Sequence, residues 1–139
     1  MKINLKLGDI YQLESELSGN QQLGQKGVLN QNISVLTKFR LSETLKVLQE
    51  HKALVDETRN TLIKKYGSED EETKQIKIEP FKSEGVLSDE FVSFNQELDS
   101  ILKEEREINF FQFKIEDFDF KSEETYPVLF KVLSELEKE

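Results

Sequence analysis

The first residues of the chain alternate between polar and apolar side chains, which predicts a short strand. The apolar face of that strand consists of Ile3, Leu5 and Leu7. Asp9 is then placed to cap a helix, and Gly19 is suited to end it, because glycine adopts the left-handed conformation found after many helices. The apolar positions of this helix, three or four residues apart, are Ile10, Leu13 and Leu17.

A much longer helix is predicted from about residue 32 to residue 66. Eight positions alternate at spacings of four and three residues, and six of the eight are apolar or aromatic; they are Leu41, Leu45, Leu48, Lys52, Val55, Arg59, Leu62 and Tyr66. This spacing is typical of a helix that packs along a coiled-coil-like seam. Gly67 ends the helix, and the acidic run that follows, residues 68–72, predicts a solvated turn.

A second helix of the same period is predicted over residues 88–108, with Ser88 as its cap. Its seam positions are Phe91, Phe94, Leu98, Ile101, Glu105 and Ile108. Two helices of matching period predict a long antiparallel hairpin, about residues 32–108, in which Leu48 and Leu98 are buried. The alternating segment before the second helix, Gln75 to Pro80, predicts a short edge strand.

The base of this hairpin is predicted to come from residues 1–18 and 109–139. A strand with a slip at Asp117 is expected to pair with the first strand, and its apolar residues are Phe111, Phe113, Ile115, Phe118 and Phe120. The apolar stripe of a C-terminal helix follows at Val128 or Leu129, Val132, Leu133 and Leu136. The segment 19–31, rich in Gln, Asn and Gly, is interpreted as a flexible loop. The predicted class is α+β and mostly helical, in one domain of residues 1–139.

Composition limits the functions that need considering. The chain has 139 residues, of which 36% are hydrophobic, so it is long enough for one folded domain. No apolar run approaches the roughly 20 residues of a membrane span, and the lysines near the N-terminus do not resemble a signal peptide. We therefore expect a soluble cytoplasmic protein that does not bind membranes. With no cysteine and one histidine, the chain has few residues for metal sites or nucleophilic catalysis.

Charge is distributed unevenly along the chain. Residues 1–60 have a balance of +1, whereas residues 61–139 have a balance of −10. An acidic surface repels nucleic-acid backbones, so direct nucleic-acid binding is not expected. Two alternatives remain for the acidic half: a solvated surface, or a face that meets a basic partner or imitates a phosphate backbone.

Three groups of residues were considered for chemistry. The glycine-rich segment 19–27 lacks the lysine position and the following Ser or Thr of a phosphate-binding loop. Glu116, Asp117 and Asp119 lack the spacing and central glycine of a calcium loop. His51 is expected on the flank of the long helix, away from any partner for acid-base work. We predict that the protein is not an enzyme and has no cofactor, metal or catalytic residue.

The helical pattern resembles that of small phage and prophage proteins of uncharacterised function. The similar segments, within residues 33–120, are Leu36-Thr37-Lys38-Phe39-Arg40-Leu41, Ile63-Lys64-Lys65-Tyr66-Gly67, Phe94-Asn95-Gln96-Glu97-Leu98 and Leu102-Lys103-Glu104-Glu105. That family has no established activity, and the resemblance offers no site residues. It implies a small virus-encoded protein in a bacterial host cytoplasm or a virion, as an assembly component or a factor that acts on a host protein.

Surface residues then suggest how such a protein would act. Val92 and Leu102 are apolar residues off the predicted seam, and a monomer has little reason to leave them exposed. Together with the acidic residues Glu69, Asp70, Glu71 and Glu72 they form the predicted partner-contact set. The preferred hypothesis is a structural or assembly protein that contacts a protein partner or its own copies. The alternative is an acidic inhibitor of a host nucleic-acid-binding or defence protein, with carboxylates in place of phosphates.

Overall fold

A computed structural model describes residues 1–118 and 125–138 of the chain, and it confirms an α+β, mostly helical fold. Short 3-10 helices lie at Val28–Asn30 and Ile115–Phe118. The strands and α-helices are, in chain order, β1 (Lys2–Lys6), α1 (Leu7–Ser18), β2 (Gly19–Asn20), β3 (Gln25–Lys26), α2 (Val35–Tyr66), β4 (Ser68–Glu69), β5 (Ile76–Lys77), β6 (Phe81–Ser83), β7 (Val86–Leu87), α3 (Asp89–Leu102), β8 (Glu105–Asn109) and α4 (Pro127–Glu137).

The described residues form two compact units. Unit 1 consists of residues 1–52 and those from 105 onward, and unit 2 consists of residues 53–104. The prediction of one domain stays a prediction.

The sheet of unit 1 is an antiparallel pair of β1 and β8, with Ile3 opposite Ile108. The predicted partner of the first strand was therefore wrong, and so was the predicted end of the second helix at residue 108. That helix ends at Leu102, and Glu105–Asn109 is extended. The physical reason is alternation: Ile108 is buried and Arg106 is half-buried, while Glu105, Glu107 and Asn109 are exposed, which suits a strand with one buried face.

The phenylalanine-rich segment after β8 does not form the predicted strand. The chain leaves the sheet after the Phe110 amide donates to the Met1 carbonyl, and a 3-10 helix follows at Ile115–Phe118. Phe113 and Phe118 are buried with their rings edge to face, 5.7 Å between centroids. Asp117 accepts a hydrogen bond from the Lys114 amide, so the predicted slip is a tight turn. Asp119 and Phe120 lie outside the described residues.

Helices α1 and α4 occur where the apolar periodicity predicted them, but α1 begins at Leu7, which was predicted in the first strand. The predicted cap was wrong, because Asp9 lies in the first turn of α1. Pro127 is the first residue of α4, where a missing N–H costs nothing. The two helices pack together in the core of unit 1. The buried apolar residues of this unit are Leu5, Leu7, Ile10, Leu13, Leu17, Val28, Leu41, Leu48, Ile108, Phe110, Phe113, Phe118, Tyr126, Val128, Leu129, Val132, Leu133 and Leu136.

Segment 19–31, predicted to be a flexible loop, has defined structure. Strands β2 and β3, of two residues each, form a hairpin that starts at Gly19, whose φ is +89°. Tyr126 is fully buried, and its hydroxyl donates to the Lys26 carbonyl at 2.6 Å. The side-chain amide of Gln31 donates to that hydroxyl at 3.0 Å. Val28 is buried beside them. The loop interpretation was therefore wrong for Val28 and Gln31, which belong to the interior.

Helix α2 begins three residues after the predicted start and ends at the predicted Tyr66. The Ser34 hydroxyl caps it by accepting from the Thr37 amide. Four of the predicted seam positions are buried, each seven residues from the next: Leu41, Leu48, Val55 and Leu62. The heptad spacing was therefore read correctly on this helix.

Unit 2 contains the end of α2, two small hairpins and α3. β4 pairs with β5 and β6 pairs with β7, so the predicted edge strand at 75–80 is confined to Ile76–Lys77. The Ser88 hydroxyl accepts from the Phe91 amide and caps α3, as predicted. No residue of α3 is buried, and Leu98 is half-exposed. The prediction of a buried Leu98 was wrong because α3 is not enclosed along its apolar face.

Candidate functional site

The most deeply buried charge in the described residues is the Glu16 carboxylate, which is 0% exposed. It lies on α1 and accepts hydrogen bonds from the first amides of α4: Leu129 at 3.0 Å and Val128 at 3.2 Å. These amides have no partner within their own helix, and the helix dipole favours a negative charge at this end. Glu16 therefore caps a helix that lies more than a hundred residues away in sequence.

A second buried carboxylate, Glu14, is neutralised by Lys52 on α2 at 3.2 Å. The same ammonium lies 5.1 Å from the centre of the Tyr11 ring, a cation–π distance. The Ser18 hydroxyl completes the group by donating to the Glu14 backbone carbonyl. Lys52, predicted as a charged position in an apolar seam, is therefore a counter-ion for α1. These interactions account for both buried carboxylates as parts of the fold.

Four groups with shifted pKa values lie on exposed surfaces of unit 2: Lys65, Asp70, Glu97 and Lys103. The Tyr66 hydroxyl, followed by the Lys65 ammonium, lowers the pKa of Glu97. Hydrogen bonds from the amides of Glu72 and Thr73 lower the pKa of Asp70. Such groups stabilise surface turns and ion pairs. An acid-base site would instead need groups held in an enclosed pocket.

A groove lies on α3, and we call it the α3 groove. It is open and has a volume of about 520 Å³. Its apolar lining consists of Leu87, Val92, Leu98 and Leu102, and its polar lining consists of Asn95, Gln96 and Asp99. The structure thus brings together the two apolar residues predicted for partner contact, Val92 and Leu102. Leu87, on β7, was missed because its place beside α3 depends on the β6–β7 hairpin.

The polar edge of the α3 groove carries one ion pair. Asp99 contacts Lys103 at 2.8 Å, one turn further along the helix, and both side chains are well exposed. The Asp99 hydrogen bond raises the pKa of Lys103. Pairs of this kind contribute little to stability in water. Asp99 can therefore exchange Lys103 for another positive group at little cost in free energy.

Other apolar side chains of unit 2 extend the exposed surface. A smaller recess is lined by Ile63, Ile76, Ile78, Phe91 and Phe94, with Lys77. Phe81, on β6, and Val86, on β7, are exposed. The two hairpins therefore add apolar area to the surface of α3, although their side chains are too dispersed to form a closed core.

The predicted acidic contacts lie at a different place, on the β4–β5 hairpin. Glu69 belongs to β4, and the carboxylate of Asp70 accepts from the Glu72 amide at 2.9 Å and from the Thr73 amide at 3.4 Å. Asp70 thus stabilises its own turn. None of the residues from Glu69 to Glu72 lines the α3 groove. The predicted contact set is therefore divided between a groove and a turn.

Sequence reasoning missed an exposed apolar cluster, which we call the α2 start patch. It consists of Val35, Leu36 and Phe39, which are 85%, 57% and 61% exposed. These residues are on the side of α2 opposite the buried positions such as Leu41. Their signal in the sequence was three large apolar residues within five, off the heptad seam.

No protein-family model, curated protein or solved structure matches the chain. Among the described residues, no helix is both long and apolar enough to cross a membrane. Residues 1–118 and 125–138 also hold no group of three or more His, Asp or Glu side chains arranged to bind a metal ion. The description of the site therefore depends on the geometry of this chain alone.

Proposed function

We propose that this protein acts through protein–protein contacts, as a structural, assembly or accessory protein without enzymatic activity. The observation that carries the proposal is the α3 groove, where four apolar side chains line an open surface. The resemblance of the helical pattern to phage and prophage proteins supports a virus-encoded protein in a bacterial cytoplasm or virion. A partner that fills the groove gives a purpose to apolar surface that the fold leaves exposed.

Covering the apolar side of α3 would be energetically favourable. Its apolar residues recur on one side of the helix, yet none is buried. Removing apolar surface from water contributes about 25 cal/mol per Å² to the free energy of binding. A partner that covers this side of α3 therefore forms a more stable complex. Exposed apolar patches rimmed by polar residues are typical of interaction sites. Asn95, Gln96 and Asp99 supply such a rim.

The acidic inhibitor is a second candidate, favoured by the charge of unit 2. Residues 53–104 contain 7 Lys and Arg and 13 Asp and Glu, a balance of −6. Binding through carboxylates that replace phosphates would weaken steeply with salt, because it depends on screened surface charges. Binding through the α3 groove would persist at high salt, since apolar burial is not screened. Salt dependence therefore separates the two candidates.

The proposed function is tested by photocrosslinking from the groove. A benzophenone amino acid replaces Gln96, which lines the groove, and in a matched control it replaces Ser100, which is exposed on the same helix outside the groove. Irradiation in bacterial cells that make the protein should give protein adducts of defined mass from position 96 and none from position 100. Equal labelling at both positions, or no protein adduct at position 96, would overturn the proposal.

A further inference from the structure

We propose that the occupant of the α3 groove is the α2 start patch of a second copy of this chain, so that copies associate head to tail. This inference rests on the proposed function and names its partner. It follows from two surfaces that the chain exposes separately, one in unit 1 and one in unit 2. Both surfaces are apolar, and the charge balances of the segments that carry them are of opposite sign.

The α2 start patch has the form of a helical ligand. Leu36 and Phe39 are three residues apart on one helix, and Val35 is one turn before Phe39, which is the anchor spacing of a helix that binds in a groove. All three are more than half exposed. Phe39 is 61% exposed, whereas Phe110, Phe113 and Phe118 are buried in the described part of unit 1.

Basic residues flank the α2 start patch. Between residues 35 and 47 the chain has Lys38, Arg40 and Lys46 against one acidic residue, Glu43, a balance of +2. Arg40 already stacks on Phe111, 5.5 Å from the ring centre. That contact fixes the guanidinium beside the patch, where it remains able to attract a carboxylate.

The α3 groove offers the complementary surface. Its apolar lining can receive Leu36 and Phe39, and Asp99 at its edge is placed for a lysine or arginine of the incoming helix. Unit 2 as a whole has a balance of −6. Opposite charges speed association and select the partner. A symmetric contact between two α3 grooves would instead bring together two copies of unit 2, each with a balance of −6, so net charge disfavours it.

A contact between two different surfaces has a structural consequence. Each copy presents one α2 start patch and one α3 groove, so binding one partner leaves the other surface available. Such heterologous contacts extend until a ring closes or a filament forms. The average mass of the wild-type protein should therefore rise steadily with concentration, without stopping at a dimer.

Two variants test the inference, each with one surface disabled. Phe39→Asp places a charge in the α2 start patch, and Asn95→Arg fills the α3 groove with a bulky cation that also repels Lys38 and Arg40. Both positions are exposed, so each variant should fold. The matched controls are Gln12→Glu, exposed on α1, and Ser100→Arg, exposed on α3 outside the groove. Circular dichroism checks the fold of all four proteins.

Sedimentation velocity then gives the decisive measurement. Each disabled variant alone should remain at the 16.3 kDa of one chain, while both controls should associate as the wild type does. Mixed in equal amounts, Phe39→Asp and Asn95→Arg should form a dimer of twice that mass and nothing larger. The reason is that the intact groove of one variant binds the intact patch of the other.

Three results would overturn the inference. They are a wild type that remains monomeric at all concentrations, a Phe39→Asp variant that still associates, and a mixture that stays monomeric although the wild type associates. The proposed function fails separately, when crosslinking from position 96 gives no protein adduct. A monomeric wild type that still crosslinks from position 96 to a different protein would overturn the second-copy inference and leave the proposed function in place.

Discussion

The two units differ in how many of their apolar residues they bury. Eighteen of the twenty buried hydrophobic residues in the described chain belong to unit 1, and only Val55 and Leu62 belong to unit 2. Both units also expose large apolar side chains: unit 1 exposes eight beside its eighteen buried ones, whereas unit 2, beside its two buried ones, exposes five, namely Leu54, Ile76, Phe81, Val86 and Leu87. Unit 1 thus has a core that accounts for its own folding, whereas unit 2 has apolar residues without an enclosed interior.

The charged side chains of the two units also differ in how they are paired. In unit 1 the carboxylates of Glu14 and Glu16 are buried, and each has a specific partner. In unit 2 the ion pairs, such as Lys65 with Glu97 at 3.2 Å, are open to water. A buried charge is stable only with its partner in place, while an exposed one adapts to a new partner at little cost. The buried carboxylates of unit 1 therefore depend on fixed partners, whereas the ion pairs of unit 2 can exchange theirs.

The largest expected effect comes from a matched pair of leucines. Leu48→Ala should lower the free energy of unfolding by about 2 to 5 kcal/mol, because it leaves a cavity at a fully buried site. Leu98→Ala should lower it by only about 1 kcal/mol, since that side chain is half-exposed. Urea denaturation of both variants checks the difference. Equal losses would mean that unit 2 has a closed core after all.

The next effect concerns the helix cap of unit 1. Glu16→Ala should cost about 2 to 4 kcal/mol, because two buried amides at the start of α4 lose their acceptor. Glu16→Gln keeps one acceptor oxygen and should cost less. Thermal and urea denaturation measure both variants. If the alanine variant were no less stable than the glutamine variant, the cap would not be contributing.

Hydrogen exchange should separate the two units directly. Amides of α4, where five residues are buried, should exchange at least about 100-fold more slowly than amides of α3, where none is buried. The measurement is native-state exchange followed by NMR at a concentration low enough to keep the protein dissociated. Raising the concentration should slow exchange in α3 if a second copy covers it. Similar protection in both helices would contradict the comparison.

The smallest effect is a pH dependence confined to the β4–β5 turn. Amide hydrogen bonds lower the pKa of Asp70 from its ordinary 3.8, so the turn is fully stabilised above that value. The stabilisation is lost as the pH falls through the lower, folded value. An NMR titration should show Asp70 titrating below its ordinary 3.8, and Asp70→Asn should remove the dependence. Titration of Asp70 at or above 3.8 would contradict it.

The fold was predictable wherever one periodicity continued without interruption. The heptad on α2 located Leu41, Leu48, Val55 and Leu62, and the stripe on α4 located its buried face. The error came at Glu105 and Ile108, which fit the helical spacing of α3 while their neighbours also fit the alternation of a strand. Over so few residues the two periods overlap, and pairing with β1 decides between them.

The candidate site was predictable only in part. Val92 and Leu102 were recognised because they are apolar and off the seam, a property of the sequence. Leu87 joins them only through the β6–β7 hairpin, and three-dimensional placement of that kind leaves no local pattern. The α2 start patch was overlooked because Val35, Leu36 and Phe39 were counted as part of a helix expected to be covered.

The cap that Glu16 provides for α4 also affects the order of events during synthesis. The donors of its hydrogen bonds, Val128 and Leu129, emerge from the ribosome more than a hundred residues later. At about 5 to 20 residues per second, that delay is roughly 6 to 20 s. During this interval the carboxylate and the apolar side of α1 lack the α4 amides and side chains that cover them in the finished fold. Unit 1 therefore completes its fold only once α4 has emerged.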